Sequence, residues 1–275
     1  GSRLVVGVKL DDVLALNSGS AYIYNLEGAT PTVPTHTLRN PTPAAQDFFA
    51  HAVAISLDQV VVSAIGDSTG ATNAGSVYVY DLSSTIPTLP TLTINNPAPA
   101  INDQFGSSVS ISGALIAVGA NLDDAGANDS GSAYIYNLTG VNPASPAWTL
   151  SNPQPAANDQ FGFSVSIDGQ RVVVSAHLDD LSGTDSGTAW VYDLSSSVPT
   201  TPELFLVAPT AGAGDQFGTA LASSNGRILV GASLSDIVTP DKGAAFVFGA
   251  ELVQEAVDIN VEYPAGFPLI NNVAS

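Results

Sequence analysis

A 56-residue period, four strand-like segments in each period and no segment with helical periodicity together predict an all-β fold for this chain of 275 residues. The architecture that fits is a five-bladed β-propeller of four-stranded antiparallel blades. The period is carried by Gly19, Gly75, Gly131, Gly187 and Gly243, each opening a Gly-Ser/Thr/Ala-Ala/Val-aromatic run. Asp47, Asp103, Asp159 and Asp215 repeat at the same interval, as do Phe49, Phe105, Phe161 and Phe217. A single sheet of this size leaves both faces bare, and packing each sheet radially on the next buries them. An immunoglobulin-like array would need about 100 residues per domain. A parallel β-helix would need much shorter coils.

The third copy illustrates the elements in order. Phe105–Ile111 alternates apolar Val109 and Ile111 with small polar residues and is expected to be the inner strand. Ser112-Gly113-Ala114 then makes a tight turn. Leu115–Ala120 is a continuous apolar run, the mark of a strand covered on both faces. After a polar loop from Asn121 to Ser130 comes Ser132–Leu138, with Tyr134 and Tyr136 on one face and Ile135 on the other. Ala147–Ser151, reached through Pro143 and Pro146, is the outer strand, and Asn152-Pro153 closes the copy because a residue before proline is pushed out of helical conformation.

The ends depart from the period. The first copy starts at its second strand, Arg3–Lys9, without an inner strand. In the fifth copy Ala244–Phe248 is the third strand, and Asp258–Tyr263 aligns with the fourth. The propeller is therefore expected over residues 1–265. Residues 266–275 are expected to close the first blade, to be exchanged with another chain, or to begin a further domain. Val273-Ala274-Ser275 followed by Gly1-Ser2-Arg3 mimics the strand–turn–strand of Val165-Ser166-Ile167 and its successors, which supports the first expectation. An inner strand supplied by Phe267–Ser275 to its own blade would close a monomer. Supplied to a neighbour, it would give head-to-tail self-association and a filament.

Composition excludes several functions. Six Lys and Arg stand against 25 Asp and Glu, a net charge of −19, so there is no basic face for nucleic acid and no attraction to anionic lipid. No cysteine is present, which rules out disulfides and thiolate metal sites. No run reaches the roughly 18 apolar residues of a membrane span, so membrane insertion is not expected. No signal peptide precedes the first strand; a secreted form would have lost it or carry it outside this sequence.

The run Asn102-Asp103-Gln104-Phe105-Gly106-Ser107-Ser108-Val109-Ser110-Ile111, followed by Ile116-Ala117-Val118-Gly119-Ala120 and Gly131-Ser132-Ala133-Tyr134-Ile135-Tyr136, resembles the bacterial FG-GAP repeat. That repeat is related to the blades of the integrin α-chain propeller. The resemblance implies a propeller of extracellular, secreted or cell-surface type. Integrin-type blades hold calcium in an acidic loop between their first two strands. Here that connection is only Ser112-Gly113-Ala114, Asp168-Gly169-Gln170 or Asn225-Gly226-Arg227, so that site does not carry over. Residues 258–275 also resemble the start of a surface-anchor immunoglobulin-like module.

The acids cluster elsewhere. Loops between the second and third strands, with the residues leading into the inner strands, place fifteen of the 25 acidic residues on one face. Carboxylates so close repel unless solvated, screened or bridged by a cation. Oxygen donors without His or Cys suit Ca²⁺. The candidate ligands are Asp103, Asp123, Asp124, Asp129, Asp159, Asp179, Asp180 and Asp185. The competing reading is that these residues form turns, as in Asn17-Ser18-Gly19 and Asp129-Ser130-Gly131, with carboxylates capping local N–H groups.

No catalytic set is expected. His36, His51 and His177 occupy non-equivalent repeat positions, and His177 lacks a nucleophile partner. Trp148 and Trp190 read as packing residues, Trp190 replacing the tyrosine of its copy. Glu203, Glu251, Glu255 and Glu262 depart from the repeat only in the last two copies. The expected function is non-catalytic: an extracellular adhesion or structural module with a protein or surface glycan as partner. A filament subunit and a carbohydrate-binding or glycoside-active propeller are the alternatives.

Overall fold

A computed structural model describes residues 2–236, residues 242–249 and the backbone of 254–256. The described residues form strands, turns and loops without a helix. The first sheet contains β1 (Arg3–Val8), β2 (Ser20–Asn25) and β3 (His36–Arg39). The second contains β4 (Phe49–Ser56), β5 (Gln59–Ala64), β6 (Ser76–Asp81) and β7 (Leu92–Asn95). The third is β8 (Val109–Ser112), β9 (Leu115–Ala120), β10 (Ser132–Asn137) and β11 (Trp148–Ser151). The fourth is β12 (Phe161–Asp168), β13 (Arg171–Ala176), β14 (Thr188–Asp193) and β15 (Leu204–Leu206). The fifth is β16 (Phe217–Ser224), β17 (Arg227–Ala232), β18 (Ala244–Phe248) and β19 (Gln254–Ala256). Within each sheet, consecutive strands pair antiparallel, as in the blades of a propeller.

Two strand boundaries differ from expectation. The inner ladder of the third blade begins at Val109 rather than Phe105. In the blades that start at Phe49, Phe161 and Phe217, the register breaks within the four residues after the phenylalanine. The cause is a bulge centred on Ala50, Gly106, Gly162 and Gly218, all at positive φ, which no regular strand adopts. In the fifth blade the outer strand paired to β18 is Gln254–Ala256. The expected strand Asp258–Tyr263 and the tail Phe267–Ser275 both lie outside the described residues.

Hydrophobic burial sits in the seams between sheets. Phe161 packs among Ala117, Ile135 and Leu150 of the third blade and Val172, Val174 and Tyr192 of its own. Phe105, Phe49 and Phe217 occupy the same place in the other three seams, and all four side chains are fully buried. Three of the rings meet tyrosines edge-on, and Phe217 meets Phe248 in the same way; Phe105 and Tyr136 have centroids 6.2 Å apart at 79°. Alternation alone would leave strands such as Leu115–Ala120 half exposed. Because the third sheet is covered on both faces, all six residues of this strand are buried.

Serine side chains tie the inner strands together. Ser110 Oγ accepts the Ile167 N–H at 3.1 Å, Ser112 Oγ the Gly169 N–H at 3.0 Å and Ser164 Oγ the Leu221 N–H at 3.1 Å. Ser166 and Ser223 hydroxyls meet at 2.7 Å. The small polar residues that alternate with valine and isoleucine along these strands thus link one blade to the next.

The first blade keeps an uncovered flank among the described residues. Leu4, Val6 and Val8 are 44%, 38% and 41% exposed, whereas Val60, Val62 and Ala64, at the same repeat positions, are fully buried. Phe161→Ala should lower unfolding free energy by about 3–5 kcal/mol, the usual loss for emptying an aromatic core site, in urea denaturation. Retention of wild-type stability would contradict the seam packing described above.

Candidate functional site: the acidic loop face

The loop face is built by one blade leaning on the next. Gly131 ends the long loop of the third blade at φ 82°, and Phe161 N–H donates to Ser130 O at 2.9 Å. A Cβ on Gly131 would collide with the Phe161 carbonyl oxygen, and Gly19, Gly75 and Gly187 lie in the same way on the next blade's phenylalanine. Glycine is therefore required by both the close approach and the left-handed backbone.

The aspartates that lead into the inner strands are buried connectors. Asp103 Oδ2 accepts from Asn96 Nδ2 and from the Ala100 N–H, each at 2.7 Å. Asp159 does the same with Asn152 and Ala156, and Asp47 with Asn40 and Ala44. Each of those asparagines also receives a backbone N–H two residues on, so the Asn-Pro corner and the inner strand are held by one network. Among the described residues the Asp215 carboxylate receives only the Gly212 N–H, because Ala208 stands where the asparagine would be. Burial pushes the carboxyls of Asp47, Asp103 and Asp159 above the ordinary range, against the pull of these donated hydrogen bonds.

The loop aspartates follow a second pattern. Asp123 Oδ1 receives the Ala125 N–H at 3.0 Å, an Asx turn, and its Oδ2 receives the Tyr134 hydroxyl at 2.7 Å. Asp67 and Tyr78 form the same pair at 2.6 Å, and Asp11 and Tyr22 at 3.0 Å. Asp124 Oδ1 accepts the Asp129 N–H at 2.9 Å, and Asp180 Oδ1 the Asp185 N–H at 2.8 Å. Asp129 and Asp185 sit at φ 51° and 50°, a left-handed conformation that Asp and Asn tolerate best among side-chain-bearing residues. Of the eight candidate metal ligands, all but Asp185 thus have a carboxylate bonded within their own turn or corner; Asp129 takes the Asn128 amide at 2.7 Å. Among the described residues no three Asp, Glu or His side chains converge as a metal site.

The fourth blade breaks the pattern. Trp190 replaces the tyrosine, so Asp179 Oδ2 receives no tyrosine hydroxyl and makes no well-formed hydrogen bond with a described residue, although Asp179 is only 4% exposed and the Thr188 side chain lies nearby. Burial, with Asp159 nearby, pushes its carboxyl up. His177 stacks on Phe163 with centroids 3.7 Å apart, and burial holds its pKa down to about 4, so it is neutral at pH 7. His36 contacts the Thr35 hydroxyl and His51 the Lys9 ammonium. The three histidines do not meet at one place. Trp190 is buried in the seam beside Phe161 and Trp148 packs against the same cluster, as packing residues do.

The Asn–Asp and Asp–Tyr partnerships were not anticipated from the sequence. Their signal was the fixed offset of seven residues from Asn96 to Asp103 and eleven from Asp123 to Tyr134, repeated in neighbouring copies. Tyr134→Phe should destabilise the protein by about 1–3 kcal/mol in urea melts, because it strands a buried carboxylate oxygen. Tyr22→Phe, at a pair that is less buried, should have a smaller effect. Equal, negligible losses would remove the hydroxyl–carboxylate pair from any structural role.

The fold and loop geometry agree with comparison to known families. No curated protein matches the chain. The FG-GAP repeat matches four times, over residues 38–80, 99–136, 149–192 and 203–248, and each match runs from the outer strand or the corner after it, through the bulged inner strand, to the tyrosine-bearing or equivalent strand of the next blade. These matches cover more than half of the chain, which therefore belongs to the FG-GAP repeat family.

Proposed function

We propose that the chain is a non-catalytic β-propeller, secreted or displayed at the cell surface, that serves as an adhesion or structural interaction module. The observation that carries this reading is the use of polar side chains on the loop face. They hold the loops rigid through local hydrogen bonds and do not converge on a reaction centre among the described residues. Rigid loops on repeated blades suit the display of a broad contact surface. FG-GAP repeats occur mainly in large extracellular proteins, and no described helix is long and apolar enough to cross a membrane. Mild protease treatment of intact producing cells should release peptides of this chain while a cytosolic marker stays intact, and beads coated with the chain should retain those cells. Protection of the chain until lysis would overturn the surface assignment, and failure of retention the adhesive one.

A second reading concerns calcium and rests on the fourth blade. Asp179 Oδ2 is a buried carboxylate oxygen without a well-formed hydrogen bond to a described residue, with Asp159, Asp180 and the Thr188 side chain in reach. A cation there would relieve the repulsion and stabilise the native state by binding it selectively. Thermal melts should then rise in millimolar calcium relative to EDTA at matched ionic strength, and Asp179→Asn should abolish the difference. Coincident melts of the unaltered chain would leave turn chemistry as the whole role of these acids.

A further inference from the structure

The rim opposite the acidic loops carries the short turns between the first and second strands, and one seam there is chemically unlike the rest. Between the fourth and fifth blades lies a cavity of about 260 Å³. Its polar lining is Asp168, Gln170, Arg171, Asp193, Ser223 and Arg227. The chain has only six basic residues, and two of the guanidinium groups stand at this one cavity. In the equivalent seam between the first and second blades, Arg3 is closed off by an ion pair with Asp58. The seam between the second and third blades has no arginine and is walled by Val79, Leu92 and Leu138.

The charges at this cavity are arranged in opposition. Arg171 reaches Glu203 at 3.3 Å and lies near enough to Asp193 to draw its carboxyl down, after the larger effect of the Ser195 hydroxyl and N–H. Arg227 is exposed and makes no ion pair with a described residue. Guanidinium groups only donate hydrogen bonds and carboxylates only accept them. An anionic ligand would meet Asp168 and Asp193, and a cationic one Arg171 and Arg227. Neighbouring hydroxyl groups meet neither conflict, since each accepts from an arginine while donating to a carboxylate. Gly226 adds no side chain to obstruct the mouth, and the volume admits one pyranose ring.

We propose that this cavity binds one ring of a neutral hexose polysaccharide through vicinal hydroxyls, a site that rests on the interaction-module reading and names its partner class. Asp168 and Arg227 supply the acceptor and the donor not already bonded elsewhere, while Arg171 and Asp193 extend the same alternation across the seam. The cavity offers no aromatic platform, so binding depends on hydrogen bonds and is weak for one ring. Avidity along a polymer then makes it effective.

The test is an amide NMR titration of the whole chain with maltohexaose, cellohexaose and mannohexaose, each to about 10 mM, a range that detects millimolar affinity. At least one should give saturable shifts centred on Gly169, Asp193, Gly226 and Arg227. Arg227→Ala and Asp168→Asn should each weaken binding about tenfold or more, as loss of a hydrogen bond to a charged group does. Both residues lie at a rim turn, and an otherwise unshifted spectrum will report that each variant is folded. Three oligosaccharides without saturable shifts, shifts that survive both substitutions, or tighter binding of a hexuronate oligomer would each overturn the proposal. Cell retention that persists while these titrations fail removes the sugar site alone. Loss of retention removes the adhesive reading itself.

Discussion

The structure depends on one backbone contact repeated along the chain: the glycine that ends the long loop of each of the first four blades lies directly on the carbonyl of the next blade's phenylalanine. Gly131 and Phe161 form a parallel bridge there, in a protein whose sheets are otherwise antiparallel. The contact permits no side chain at the glycine and requires positive φ. Once it is made, the phenylalanine ring has one place to go, into the seam between two sheets, and the loop before the glycine must end in a left-handed turn. Asp or Asn at positions 17, 73, 129 and 185 meets that turn with φ near 50°. Much of the repeat's chemistry follows from making room for a single approach of two main chains.

The electrostatics of the loop face are consistent with that constraint. A net charge of −19 with carboxylates gathered on one rim works against compaction. The carboxylates are nonetheless tied to backbone N–H groups, asparagine amides and tyrosine hydroxyls, donors that stabilise charge without adding a cation. Burial still dominates at Asp47, Asp103 and Asp159, whose carboxyls stay raised. The fourth blade shows what the tyrosine contributes: with Trp190 in its place, Asp179 keeps its Asx turn through the Leu181 N–H but its second oxygen receives no tyrosine hydroxyl. The indole extends the seam toward Phe205, so packing is gained where a polar contact is lost.

The sheets were legible in the sequence because periodicity is a statement about burial. Leu115–Ala120 read as a strand covered on both faces and occupies that position. The bulge after each phenylalanine was not legible. It depends on a carbonyl from another blade, and the residues at its centre, Ala50 and Gly106 among them, are small residues that also suit a regular strand next to a neighbour. The acidic face was legible as a cluster but not as chemistry. Composition alone does not distinguish aspartates that share a cation from aspartates that each hold a turn. The choice depends on whether a donor stands at hydrogen-bond distance, and for Asp103 that donor is Asn96, a residue whose evident role was to precede a proline. Strand ends were the other weakness: the fifth blade's outer strand pairs at Gln254–Ala256, where the repeat had lost its asparagine-proline marker.

The two rims differ in how their polar groups are used, and this bears on which of them can recognise a partner. On the loop rim a carboxylate with both oxygens engaged, such as that of Asp123, exchanges an internal hydrogen bond for an external one if it binds a ligand, with little net gain. On the turn rim the two-residue connections need few side chains to hold them, since strand pairing continues almost to the turn, as Asp168 opposite Arg171 shows. Ser112 still holds the Gly169 N–H there, but the side chains of Asp168 and Arg227 make no hydrogen bond or ion pair with a described residue. Exposed Arg227 and half-buried Asp168 therefore bring to the cavity hydrogen-bonding capacity that the fold does not require. Specific recognition is better served by that rim, while the acidic rim supplies the rigidity that keeps the blades, and hence the seam cavity, in fixed relation.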